Sequence, residues 1–247
     1  MVRNAFALAT AATIAGLSNP ALAQAPAAPK SEVVWKPIGD APGVVGMAVV
    51  KGRLFAATAT NKLQVCDPDL SPLVWKEIGD CPGGVVAMGV ADGKLFASTS
   101  TRSGTLHMRE ALDTAAPWQH IGHCWCCVGM TGTASAPGKI YGAISVNNGA
   151  AGVAESIMMR TTTASDVPWA TNKIGHRPPT GILAFAEVAG KFYAATKEDL
   201  LFAGDVIHAD VPWKAVGDAA GVTVLAGGDG RLFATTKSGK LLVWTPK

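Results

Sequence analysis

The residues best suited to chemistry lie within five positions of this sequence, 123–127. His123, Cys124, Cys126 and Cys127 offer imidazole and thiolate groups, which bind soft or borderline metal ions such as copper and zinc. Standard structural zinc sites repeat a Cys-x-x-Cys pair, and this cluster does not match that pattern. We therefore expect no cofactor, and keep copper or zinc bound by these four residues as an alternative.

Disulfide formation is the interpretation that we prefer for the cysteines. The chain has five of them, so at least one is left over. A bridge within 124–127, or one from Cys81 to that cluster, is expected, which makes Cys81, Cys124, Cys126 and Cys127 the disulfide candidates. Cys66 stands apart from them. A thiol-redox role is a weaker alternative, because Cys124 and Cys127 have Cys-x-x-Cys spacing but are not followed by a helical pattern.

A second group of candidates follows the sequence Ile-Gly or Val-Gly, which recurs five times. The next residue is always Asp or His: Asp40, Asp80, His123, His176 and Asp218. Aspartate often caps a tight turn, but five such side chains on one face could also bind a polar ligand. Glycosidases need a specialised pair of carboxyl groups, and these short, repeated loops do not favour one. Trp125 lies outside the repeat and is the best candidate for stacking on a ligand.

Tryptophan residues mark a repeat that positions these loops. Copies of Trp-x-x-Ile-Gly or a close variant begin at Trp35, Trp75, Trp118, Trp169 and Trp213. Each is followed by an apolar segment and then by Gly-x-Leu-Phe or a similar sequence. Periods of 40–50 residues are typical of propellers and solenoids. Within each unit, short alternating segments between glycine turns predict four antiparallel strands, which is one propeller blade.

The two ends of the repeat predict a closed ring. Residues 33–39 supply only the last strand of a unit, and residues 222–244 supply only the first three. We therefore predict an all-β, five-bladed β-propeller in which the N-terminal outer strand completes the last blade and removes an exposed sheet edge. Small residues on the inner strands, such as Gly46, Gly89 and Gly129, suit a narrow axis.

The repeat resembles tectonin/tachylectin-type propeller lectins. Trp35–Gly39 and Gly52–Thr58 carry the resemblance, which extends over residues 33–247. It implies a β-propeller with shallow sugar sites repeated around the ring. The second strand of each unit has Leu-Phe-Ala-Ala-Thr or a variant of it where the family has a Trp-containing signature, so no sugar-contacting residue is transferred.

The N-terminal segment predicts export. Residues 1–23 have a positive residue, an apolar stretch too short to span a bilayer, and Ala21-Leu22-Ala23 before a cleavage point, as in a signal peptide. Residues 24–32 then form a flexible leader, and residues 33–247 form the propeller. The expected location is periplasmic or secreted, with no membrane span. A net charge of +3 argues against a nucleic-acid partner.

Together these features predict an exported binding protein rather than an enzyme. Its partner is expected to be a carbohydrate or another small polar ligand, held by loops on one propeller face. The predicted ligand-binding residues are Asp40, Asp80, His123, Trp125, His176 and Asp218. The alternatives are a periplasmic metal-binding or thiol-redox protein centred on Cys124–Cys127, and a scaffold for a protein partner.

Overall fold

The computed structural model describes residues 32–100, 104–124, 127–133, 136–144, 156–162, 169–171, 179, 181–205 and 212–246. These residues form twenty β-strands and no helix. The strands build five antiparallel sheets of four strands each, arranged as a five-bladed β-propeller, which confirms the predicted fold class. Within this part of the chain, nothing helical is long and apolar enough to cross a membrane.

The blades follow one another along the chain, and each is ordered from its inner to its outer strand. Blade one has β2 (Val44–Val50), β3 (Arg53–Thr58), β4 (Lys62–Cys66) and β5 (Lys76–Asp80). Blade two has β6 (Val85–Ala91), β7 (Lys94–Thr99), β8 (Thr105–Glu110) and β9 (Gln119–His123). Blade three has β10 (Cys127–Gly132), β11 (Lys139–Ile144), β12 (Ser156–Thr161) and β13 (Ala170–Thr171). Blade four has β14 (Ile182–Val188), β15 (Lys191–Thr196), β16 (Leu200–Asp205) and β17 (Lys214–Asp218). Blade five has β18 (Val222–Gly228), β19 (Arg231–Thr236), β20 (Lys240–Trp244) and the N-terminal β1 (Lys36–Asp40).

The ring closes as the sequence predicts. β1 pairs antiparallel with β20, with Lys36 opposite Val243 and Asp40 opposite Lys240. The first strand along the chain is therefore the outer strand of the last blade. This pairing covers the edge that β20 would otherwise expose.

Tight hairpins join the first two strands of most blades. Lys51-Gly52 and Asp92-Gly93 both have positive φ at their two central residues, 48° and 75° in the first turn and 50° and 75° in the second. Such turns match the right-handed twist of the strands that they connect. Glycine at the second position adopts this conformation without strain, which is why Gly recurs there.

Inner strands of neighbouring blades lie very close together. A Cβ atom added to Gly227 would collide with the backbone oxygen of Glu187, and one added to Gly89 would collide with that of Met130. The small residues on these strands therefore allow five sheets to converge on a narrow axis, as predicted.

The hydrophobic core consists of five clusters, one between each pair of neighbouring blades. Phe96, Phe185, Phe192 and Phe233 are fully buried in them. One repeat tryptophan packs against each cluster: Trp35, Trp118, Trp75, Trp169 and Trp213. The core therefore lies between blades, and each blade is stabilised by packing against two neighbours.

Candidate functional site

Four of the predicted binding residues end outer strands. Asp40, Asp80, His123 and Asp218 are the last residues of β1, β5, β9 and β17, and all four are exposed. Since the outer strands are the farthest from the axis, these side chains lie around the rim of one propeller face. We call this surface the rim face. His176 and Trp125 lie outside the described residues.

The carboxylates on the rim face have partners within their own blades. Lys240 donates from Nζ to Oδ1 of Asp40 at 2.7 Å, and Lys62 donates to Oδ1 of Asp80 at 2.8 Å. The hydrogen bond to Asp80 is the largest cause of a raised pKa of Lys62. Asp218 instead accepts the backbone N–H of Ala220 at 3.0 Å, which is the turn-capping role that aspartate often has.

The main chain of the same residues joins the blades. The indole Nε1 of Trp75 donates to the carbonyl oxygen of Asp40 at 2.9 Å. The same bond recurs from Trp118 to Asp80, from Trp169 to His123 and from Trp35 to Asp218, at 2.8–2.9 Å. In every case the tryptophan belongs to one blade and the carbonyl to the blade before it. These four tryptophans therefore tie neighbouring blades by a hydrogen bond as well as by packing, whereas Trp213 is shown to pack between blades.

The position after each rim residue is small and buried. It is occupied by Ala41, Cys81, Cys124 and Ala219. Each backbone N–H donates to a carbonyl in the turn before the third strand of the same blade, at 2.7–2.8 Å. Cys81 and Cys124 are thus equivalent, as the repeat predicts, and both side chains point into packed space.

The cysteine-rich loop contains a disulfide between Cys124 and Cys127, whose Cα atoms are 6.2 Å apart. Cys124 follows the outer strand of blade two, and Cys127 begins the inner strand of blade three. Both are buried, at 0% and 2% exposure, beside Phe96, Ile140 and Trp169. Their burial favours a structural disulfide, since exchange requires an accessible sulfur.

The other described cysteines are free. Cys66 and Cys81 are both buried, so the candidate bridge from Cys81 to the cluster is not formed. The loop after Cys81 leads to Val85, whereas the equivalent loop after Cys124 leads to Cys127. Cys81 therefore has no cysteine partner at the end of its own loop. Burial raises the pKa of both thiols to about 12, which keeps them protonated at neutral pH. Cys126 lies outside the described residues.

The disulfide also bears on the alternative metal centre. In this structure Cys124 and Cys127 are bonded to each other and offer no thiolate. As the side chains stand, the described part of the chain has no three His, Cys, Asp or Glu groups placed to hold one metal ion.

A cavity that the sequence analysis missed opens on the rim face near the axis. Its volume is about 450 Å³, and it is bordered by the starts of β2, β6 and β18. Its lining combines Val44, Val85 and Val86 with Thr223, Thr236 and Lys237. The only available signal was position: each inner-strand residue directly follows a rim loop. The cavity offers aliphatic surface beside hydroxyl and ammonium donors.

Comparison with known proteins supports the fold and adds no family. No protein-family model matches the chain, and no curated protein matches it. A glutaminyl cyclase structure from Myxococcus xanthus is similar with a TM-score of 0.56 and 16% identity, covering 85% of this chain and 94% of the other. A structure of a nidogen/laminin complex is similar with a TM-score of 0.54 and 9% identity, covering 82% and 80%. At these identities the likeness shows a propeller fold and carries no activity across.

Proposed function

We propose that this chain is an exported, non-enzymatic binding protein that takes a carbohydrate or another small polar ligand on its rim face. The cavity of about 450 Å³ on that face carries the proposal. Ligand sites are typically concave and largely apolar, with a few polar groups that fix orientation. This cavity has that composition.

The lining suits a sugar in particular. The valine side chains present aliphatic surface to the C–H groups of a pyranose ring, and Thr223, Thr236 and Lys237 present donors to its hydroxyl groups. In this structure Thr223 Oγ1 lies 3.3 Å from Thr235 O, and Thr236 Oγ1 lies 2.9 Å from Ser238 Oγ. A ligand hydroxyl would compete with these contacts, and the weak one at Thr223 is the easier to replace.

The rim residues would contact parts of a larger ligand that extend beyond the cavity. Asp40, Asp80, His123, His176, Asp218 and Trp125 are the proposed outer contacts. The carboxylates of Asp40 and Asp80 stay 68% and 76% exposed despite their lysine partners. Exposed carboxylates are common hydrogen-bond acceptors for sugar hydroxyls.

A glycan array followed by calorimetry with the best sugar tests the proposal. Lys237→Ala and Thr223→Val should each weaken binding about 5- to 20-fold, the effect of one or two lost hydrogen bonds. Trp125→Ala should weaken the binding of longer glycans more than that of monosaccharides. Lys191→Ala is the matched control, since Lys191 begins β15 at the turn end of its blade.

Failure to bind any glycan or small polar metabolite by a folded protein would overturn the proposal. Equal affinities for Lys237→Ala, Lys191→Ala and the unchanged protein would show that the ligand binds elsewhere than in the cavity. The burial of the disulfide makes thiol exchange the less favoured alternative.

A further inference from the structure

A second cavity lies at the other end of the propeller axis, on the face where hairpins join the first two strands of most blades. We call this surface the turn face. The cavity has a volume of about 350 Å³ and is lined by the ends of the inner strands β2, β6, β10, β14 and β18 and by the start of β11. It shares no lining residue with the cavity on the rim face.

One carboxylate stands among the apolar and glycine positions that surround this end of the axis. Glu187 lies on β14 and lines the cavity. At the same level of the inner strand, the other blades have Val49, Val90, Gly132 and Gly227. Burial is the main cause of a raised pKa of the Glu187 carboxyl, because burial disfavours the charged form of the group.

Support of the hairpin does not by itself account for Glu187. Its Oε1 atom accepts the backbone N–H of Gly190 at 2.6 Å. In blade one the equivalent N–H, that of Gly52, is accepted by Asp229 of the preceding blade at 2.8 Å. For blade two the preceding blade offers Lys51, whose side chain has no acceptor, yet the hairpin of blade two forms. A hairpin of this kind therefore does not require a carboxylate at the axis.

Lys139 brings a positive charge to the same cavity. It begins β11, and its equivalent in blade two is Lys94, which begins β7. Lys94 lies opposite Glu110 and forms an ion pair with it at 3.4 Å. Lys139 lies opposite Thr161 instead. Blade three therefore lacks the cross-strand carboxylate that holds the lysine of blade two.

The two opposite charges share the cavity without meeting. Within the described part of the chain, no ion pair joins Glu187 to Lys139, and neither residue forms one with another side chain. The third charged residue of the lining is Asp92, whose carboxylate accepts the N–H of Gly138 at 3.1 Å and the hydroxyl of Thr162 at 2.8 Å. One ligand with both an ammonium group and a carboxylate would satisfy the acid and the base together.

The cavity also has the hydrogen-bonding capacity and the size for such a ligand. A carboxylate has about four acceptor sites, and Glu187 uses part of them for the N–H of Gly190 and the hydroxyl of Thr133. The hydroxyl of Thr131 donates to a backbone oxygen at 3.0 Å, so its own oxygen can still accept a hydrogen bond. A volume of about 350 Å³ lies near the small end of ligand sites, which suits a molecule of a few carbon atoms.

We propose that the cavity on the turn face binds a small zwitterion of the amino-acid class. Glu187 holds the ammonium group of the ligand, and Lys139 holds its carboxylate. Val49 and Val90 provide apolar surface for its carbon atoms. The site lies on the opposite face from the one proposed for a carbohydrate, and it does not depend on that proposal.

Calorimetric titration with glycine, β-alanine and γ-aminobutyrate tests the site, because these probes differ only in the number of carbon atoms between their two charges. At least one of them should bind once per chain. It should bind more tightly than methylamine or acetate, each of which carries only one of the charges. Glu187→Gln and Lys139→Met should each weaken binding at least about 10-fold, since each removes a hydrogen bond between charged groups.

Glu110→Gln and Lys94→Met are the matched controls, because they make the same two changes on the turn face but outside the cavity. Both should leave the affinity unchanged. Lys237→Ala alters the cavity on the rim face and should also leave it unchanged, which separates this site from the proposed carbohydrate site.

Nuclear magnetic resonance locates the bound zwitterion independently of the calorimetry. The amide signals of Gly132, Gly227 and Gly228, which line the cavity, should shift in the unchanged protein and stay in place in Glu187→Gln. Absence of binding by all three zwitterions at about 10 mM, about ten times the Kd of a millimolar complex, would overturn the proposal. Binding that either Glu187→Gln or Lys139→Met leaves unchanged, or that methylamine matches, would also overturn it.

Discussion

At the scale of single residues, an indole N–H ties one blade to the blade before it at four of the five repeat tryptophans, Trp35, Trp75, Trp118 and Trp169. Trp75 donates to the carbonyl oxygen of Asp40 in blade five, and the same ring packs against the cluster between blades five and one. The bond and the packing act at one interface. Since successive blades follow one another along the chain through a single loop, such ties matter for closure.

Trp75→Phe should lower the free energy of unfolding by about 1–2 kcal/mol, because it removes one hydrogen bond and some buried area. Urea denaturation measures the change. Trp244→Phe is the control, since Trp244 makes ring contacts with Trp35 and Tyr193 and loses a similar area. An equal loss in both variants would show that the interblade bond contributes nothing.

A half-buried carboxylate gives the protein a specific pH dependence. Glu187 lies on the inner strand of blade four, in a cavity of about 350 Å³ at the end of the axis opposite the rim face. Its Oε1 accepts the backbone N–H of Gly190 at 2.6 Å. Burial is the main cause of its raised pKa, and equivalent positions hold Val49, Val90 and glycine.

Since the folded pKa of Glu187 lies above the unfolded value, the folded state binds this proton more tightly. Stability from this group is complete below the ordinary glutamate pKa of about 4.3 and falls as pH rises through the raised folded pKa. Glu187→Gln keeps the acceptor for Gly190 and removes the titration. Its melting temperature should exceed that of the unchanged protein at pH 7 and match it more closely at pH 4. A lower melting temperature at pH 7 would contradict this account.

At the scale of elements, the disulfide replaces residues that other blades use without a bond. The position of Cys124 holds Ala41 and Ala219 elsewhere, and the position of Cys127 holds Val44, Val85 or Val222. Those loops fold with hydrogen bonds and packing and have no disulfide. The disulfide therefore adds stability to a loop whose conformation the repeat already favours.

The double change Cys124→Ala and Cys127→Val should fold, with a loss of up to about 2 kcal/mol for a four-residue loop. Denaturation of the variant and of the unchanged protein, each with and without reductant, measures the effect. Reductant should destabilise the unchanged protein and leave the variant unaffected. An unfolded variant would show that the disulfide is needed for the loop to form.

The order of elements could be predicted from sequence, whereas their side-chain partners could not. Trp-x-x-Ile-Gly and the glycine turns recur because each blade needs the same backbone conformation at the same place. The acceptor of each indole is a main-chain carbonyl, which any residue type supplies, so no pattern marks it. Asp40 and Asp218 look alike in sequence, yet only Asp40 has a lysine across its strand, because Lys240 is replaced by Leu200 in blade four.

The cysteine pairing and the cavity were also hard to predict from the sequence. Cys81 and Cys124 are equivalent in the repeat, but only Cys124 forms a disulfide, because Cys127 occupies the position that Val85 occupies after Cys81. The cavity on the rim face is formed by three strands far apart in sequence. Its lining has no recognisable motif, because valine and threonine are ordinary strand residues.

At the scale of the whole molecule, closure by β1 and β20 places the start of β1 beside the end of β20, with Lys36 opposite Val243. A circular permutant that starts at Gly43, ends at Pro42 and joins residue 246 to residue 32 through a short linker should fold. Its β20–β1 connection becomes an ordinary loop, as in the other blades, and chain breaks at surface loops are well tolerated. Its melting temperature should lie within several degrees of that of the unchanged protein. Aggregation of the permutant would show that β1 must be free to dock last.

The pairing of β1 with β20 also determines how the ring responds to mechanical load. Lys36 and Val243 form a pair at the end of the ladder where the chain enters β1 and leaves β20, and Asp40 and Lys240 form the pair at the far end. A pull on the two termini therefore bears on one pair at a time and peels β1 away from Lys36 towards Asp40. A protein tethered by both ends would first break the bond from Trp35 to Asp218 and then lose β1 from blade five, while its other four blades stayed folded.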